Sequence, residues 1–90
     1  MNQVNEKLKT SCEGAVATFQ KLNNKKFNDI QSKLEWCIGS YSYDNNPVGL
    51  HEYGIKSLDK LKKIKSKEPR KVTKKVIDNL EKAIQGFSKN

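Results

Sequence analysis

The sequence predicts an all-α protein: a small up-down-up-down antiparallel four-helix bundle. Three observations carry that expectation. Apolar residues recur at three- and four-residue steps in four separate stretches, which is the helical period. Short segments rich in Asn, Asp, Pro and Lys join the stretches, and so short a connection forces neighbouring helices to run antiparallel. Across the first connection, Leu22 with Phe27, Phe19 with Ile30, Ala15 with Leu34, Cys12 with Cys37 and Leu8 with Tyr41 keep a constant position sum, so a single turn brings the two apolar stripes into register.

The first helix is expected over about 2–22, with Asn2 as its N-cap. Gly14 lies inside it and costs roughly 1 kcal/mol relative to Ala. Asn23 and Asn24 make the turn, and a second helix over about 25–42 presents Phe27, Ile30, Leu34, Cys37, Ile38 and Tyr41 on one face. The segment SYDNNPVG is the clearest break: Asp44, Asn45 and Asn46 are turn formers, and Asn46–Pro47 reads as an N-cap followed by a first helical residue. A third helix over about 47–66 aligns Leu50, Tyr53, Gly54, Leu58, Leu61 and Ile64. Pro69 is tolerated only in a first turn, which starts the fourth helix near 68 and carries it to about 85, with Gly86 as its C-terminal cap. Leu58 with Ile77, Gly54 with Leu80 and Leu50 with Ile84 align across this second turn. The topology puts both short turns at one end of the bundle, and the central loop and both termini at the other.

A chain of 90 residues makes one domain with one core, with an expected radius of gyration of about 12 Å. There is no run of about 20 apolar residues to span a membrane. The opening MNQVNEKLKT has charge where an export signal needs an apolar core, so a cytoplasmic location is expected. Two thiols, Cys12 and Cys37, are expected as small core residues in a reducing compartment. Their common level makes a disulfide geometrically conceivable if the Cα atoms come within ~7 Å. The many Lys and Asn codons point to an AT-rich bacterial or phage source.

Charge is where the sequence is most uneven. The segment from Lys56 to Lys75 holds ten of the eighteen Lys and Arg residues and two of the ten acids, so it carries the entire formal net charge of +8. Lys56, Lys60, Lys63 and Lys67 recur at helical steps as one solvent-facing line. Lys71, Lys75 and Lys82 are expected to form another on the fourth helix, interrupted by Asp78, with Arg70 and Lys74 beside it. Lys21, Lys25 and Lys26 reach the same end from the first turn. Like charges at such spacings repel, and an anionic partner relieves them. Nucleic-acid phosphate is the first candidate and an acidic lipid or protein surface the next. Solvated lysine faces are also common and need no partner. A single arginine and no interleaved aromatic in the patch point away from base readout and single-strand stacking. A packed antiparallel hairpin has the wrong crossing angle for a helix-turn-helix.

Trp36 falls off the core face of the second helix, and Tyr43 lies on the same outer side. With His51 and Ile55 they are the candidates for a protein contact or a homodimer surface, against the plainer reading of Trp36 as cover for a gap in the bundle. His51 and the cysteines match no zinc spacing, and no metal or cofactor is expected. No phosphate-binding glycine loop, nucleophile elbow or paired-His motif is present, and no catalytic residues are expected; Glu13 and Glu35 read as exposed helix charges. The expected function is a small non-enzymatic binding protein whose Lys-rich end engages an anionic macromolecule. The alternative is a protein–protein adaptor or inhibitor module using Trp36, Tyr43 and the central loop.

Overall fold

The computed structural model describes residues 3–89, the side chains of 88 and 89 excepted. Four helices follow one another: α1 (Gln3–Leu22), α2 (Asn28–Asp44), α3 (Val48–Lys67) and α4 (Lys74–Lys89), with a 3₁₀ turn at Lys25–Phe27 leading into α2. They pack as a four-helix bundle measuring 36 × 23 × 15 Å, with a radius of gyration of 12.3 Å. The expected Asn2 cap lies outside the described residues.

Each connection is closed by local chemistry. Asn23 adopts a left-handed φ of 47°, a conformation Asn tolerates better than most residues, and its amide donates to the Phe19 carbonyl at 3.1 Å. The Asn24 side chain then accepts from the Lys26 amide at 3.0 Å and starts the 3₁₀ turn. Asn45 ends α2 in the same way, with φ 58° and an amide bond to the Tyr41 carbonyl at 2.8 Å. The Asn46 side chain accepts from the Val48 amide at 3.1 Å and the His51 amide reaches the Pro47 carbonyl at 2.9 Å, but Pro47, not Asn46, is the N-cap, and α3 starts one residue later than expected, at Val48.

The third connection differs from expectation. α4 begins at Lys74, not near 68, and Pro69 lies in the loop before it. Thr73 is the residue that caps the helix, its hydroxyl accepting from the Val76 amide at 3.3 Å. Ahead of it Val72 is fully buried, and the Lys65 ammonium donates to the carbonyls of Val72 (3.0 Å) and Pro69 (3.4 Å). Loop carbonyls that would otherwise need a helical partner are satisfied by this side chain. The far end differs too: α4 runs through Gly86 to Lys89. Phe87 extends the apolar stripe and its ring centroid lies 4.5 Å from that of His51, a contact that favours carrying the helix past its expected end.

The core is continuous. Leu8, Cys12, Ala15 and Phe19 of α1 and Ile30, Leu34, Cys37 and Tyr41 of α2 are all buried, together with Leu50, Leu61, Leu80 and Val72. Gly54 faces Cys12, Leu8 and Ile84, which places the first half of α1, the first half of α3 and the last half of α4 at one level. Both short turns therefore meet at one pole, and the central loop sits at the other.

Candidate functional site

At the pole where the turns meet, a depression of about 340 Å³ is floored by Leu22, Phe27 and Ile64 and rimmed by Lys26, Lys60, Lys63, Lys67 and Lys71. The lysines come from three segments: the 3₁₀ turn supplies Lys26, α3 supplies Lys60, Lys63 and Lys67, and the last loop supplies Lys71. Only Asn24 and Glu68 add other polar groups to the lining. Phe27 is held in the floor by stacking on Phe19, with ring centroids 5.6 Å apart. Lys63 lies 3.2 Å from Asp59 and Lys71 3.6 Å from Glu68. Both pairs are half-exposed or more, and pairs of that kind contribute about 0–1 kcal/mol, so a phosphate can replace the carboxylate at little cost. Among the described residues Lys26, Lys60 and Lys67 form no ion pair.

A second depression, of about 380 Å³, adjoins the first and shares Lys26 and Lys60 with it. It runs between α2 and α3 and adds Lys33, Lys56, Tyr53, Ile30 and two acids, Asp29 and Asp59; Lys33 pairs with Asp29 at 3.5 Å and Lys56 with Glu52 at 3.7 Å. The ammonium of Lys56 stands 4.8 Å from the centre of the Tyr53 ring and that of Lys33 stands 6.0 Å from it. Periodicity alone puts Tyr53 on the core face and leaves the basic patch without an aromatic. Tyr53 is half-buried and lies in that patch. Its stripe position was legible, but its place at the edge of the stripe, facing the lysines of α2, needed the α2–α3 pairing.

The remaining cations divide. Lys25, Arg70, Lys74 and Lys75 are exposed near the pole but line neither depression. The expected line of Lys71, Lys75 and Lys82 does not form, because Lys71 lies in the loop before α4 and Lys82 lies in a separate depression between α1 and α4. Lys65 is committed to the loop carbonyls and is a structural residue.

The protein-contact candidates also separate. Trp36 is 72% exposed and Tyr43 95% exposed, so neither fills a gap in the bundle. Both lie on the outer edge of α2, the side of the helix that carries Asp29 and Lys33 toward α3. His51 instead packs on Phe87 of α4. Ile55 is 45% exposed and shares a helical line with Lys62, which pairs with Glu81 of α4 at 2.9 Å, so it borders α4 and does not adjoin Trp36.

The two thiols are poor nucleophiles. Cys12 and Cys37 are free and buried. Burial first, then the neighbouring Cys37 and Glu13, pushes the Cys12 thiol up to about 12, and burial followed by Glu52 raises that of Cys37. A thiol so raised is not a thiolate at neutral pH. The Cys12 thiol approaches the Leu50 carbonyl at 3.7 Å. Glu35 accepts from the Gln20 amide at 3.3 Å, and Glu6 accepts from the Tyr41 hydroxyl at 2.9 Å. Among the described residues no group of three or more His, Cys, Asp or Glu is placed to hold a metal ion, and no helix is long and apolar enough to cross a membrane.

Fold and site together define a small helical bundle with one lysine-rimmed pole. No family model, no curated protein and no solved structure matches this chain.

Proposed function

We propose that this protein is a non-enzymatic binding module whose lysine-rimmed pole grips the phosphate backbone of nucleic acid. One observation carries the reading: five lysines from three separate segments surround a single depression, and three of them have no acidic partner among the described residues. Concave clustering of one charge sign concentrates the field and favours a polyanion over scattered small anions. Lysines without arginine forks suit phosphate contact without base readout.

Five such contacts to a duplex give a salt slope of about −4.5, so affinity drops roughly 500-fold between 50 and 200 mM salt. Charge reversal of Lys60, Lys63, Lys67 and Lys71 abolishes binding to a generic nucleic acid at low salt. If the unmutated protein binds neither duplex nor single strand at about 50 mM salt, the proposal fails.

The exposure of Trp36 and Tyr43 supports a second reading, a protein contact on the outer edge of α2. Affinity capture with and without nuclease separates the two. Partners that persist after nuclease treatment and are lost with Trp36→Ala favour the protein contact.

A further inference from the structure

The lysines do not stop at the pole. They continue between α2 and α3, because the two depressions share Lys26 and Lys60 and the second carries Lys33 and Lys56 beside the Tyr53 ring; four lysines outnumber the two acids of that lining, Asp29 and Asp59, and the pairs of Lys33 with Asp29 and of Lys56 with Glu52 are exposed and exchangeable. Resting on the reading that the pole binds phosphate, we propose that the ligand is a single strand of nucleic acid, laid along the α2–α3 groove with a base stacked on Trp36.

Aromatic surface beside the lysines favours a single strand. Lys56, Lys60, Lys63 and Lys67 are spaced along α3 by four, three and four residues, a rise of about 6, 4.5 and 6 Å. Lysine side chains at such intervals can follow one phosphate backbone, paired or single. The track also ends beside aromatic surface. Trp36 lies outside the groove lining but follows Lys33 by three residues, about one helical turn, on the outer side of α2, and its mostly exposed ring offers a stacking platform to a strand leaving the groove. Cationic groove and aromatic platform together are the chemistry of sequence-tolerant single-strand binding.

The chain contains one tryptophan, which makes the test specific to the site. A short oligothymidylate and a duplex of equal length are titrated at low salt, following Trp36 fluorescence and the anisotropy of a labelled oligonucleotide. The single strand binds about 10-fold or more tighter than the duplex and quenches Trp36, and Trp36→Ala weakens single-strand binding by roughly 5- to 30-fold while leaving duplex binding unchanged. Because Trp36 is exposed, that variant keeps the core intact. Lys56→Gln weakens the single strand more than the duplex, and Lys82→Gln, in a different groove, changes neither preference. Equal or tighter duplex binding, or binding without quenching, overturns the strand path and leaves the basic pole standing. Absence of binding to both forms removes the pole itself.

Discussion

The buried thiol of Cys12 makes the stability of this bundle fall steeply in alkali, by an amount that can be separated from every other titration. In the unfolded chain the thiol has an ordinary value of 9.0, and in the bundle it is pushed up to about 12, chiefly by burial. Between those two values the unfolded chain has released a proton that the folded chain still holds. The folded state then binds more protons than the unfolded one, and stability drops as pH rises. Below pH 9 both states hold the proton, and the contribution is fully present. Near pH 11 the loss from this one group amounts to about 3 kcal/mol, at 1.36 kcal/mol per unit. Tyr41 adds to the same trend, because burial and then its bond to Glu6 raise its phenol above 10.0. Urea unfolding followed by far-UV circular dichroism, at neutral pH and near pH 11, measures the total. Cys12→Ala removes the thiol and keeps Tyr41 and the lysines. That variant is less stable at neutral pH because of the cavity, but it loses about 3 kcal/mol less than the parent on going to pH 11. Parallel pH profiles for the two proteins refute the argument, since they mean that the thiol at position 12 is solvated in the folded state.

Two further outcomes test the division between structural and functional side chains. Ser57 is fully buried and its hydroxyl has no hydrogen-bond partner among the described residues, so Ser57→Ala raises the unfolding free energy by about 1 kcal/mol in denaturant titration. A loss of stability there shows that the hydroxyl is satisfied in solution. Lys65→Met frees the carbonyls of Pro69 and Val72 and lowers stability by about 1 kcal/mol or more, whereas Lys67→Met, which removes only an exposed charge at the end of α3, costs a few tenths of a kcal/mol and weakens polyanion binding instead. Equal stability losses in the two variants, read from thermal melts, contradict this assignment.

How much of this was legible in the chain depends on whether the signal was local or paired. The α1–α2 register was readable because five apolar pairs repeat around one short turn, and Leu8, Cys12, Ala15, Phe19 and their partners are buried as that register requires. The polar concentration of lysines followed from the same topology, since two tight turns must share an end. The start of α4 was not readable. Pro69 and Thr73 both offer plausible helix starts, and the choice between them is made by Val72 sinking into the core and by Lys65 reaching across to the loop, neither of which leaves a local pattern. Gly86 looked like a stop because no sequence rule announces that Phe87 will find His51 on another helix. Tyr53 was assigned to the core by its periodicity, and periodicity cannot say that a residue at the stripe's edge borders the lysines of α2.

The placement of the lysines also bears on whether the pole is more than a solvated surface. Helix C-termini carry partial negative charge, so a cation in a last turn stabilises the fold by a few tenths to about 1 kcal/mol. Lys21 at the end of α1, and Lys65 and Lys67 at the end of α3, are accounted for in that way. The same rule works against Lys26, Lys71, Lys74 and Lys75. Lys26 lies just before α2, Lys71 lies in the loop before α4, and Lys74 and Lys75 open α4, whose first turn contains no acid. Cations at helix N-termini oppose the local field, where stability alone favours acids such as Asp29 in the first turn of α2. Folding therefore explains the lysines at the ends of α1 and α3 and leaves those at the starts of α2 and α4 as a cost. A bound phosphate chain reverses the sign of that cost, because an anion beside a helix N-terminus is favoured by the dipole and by the lysines together.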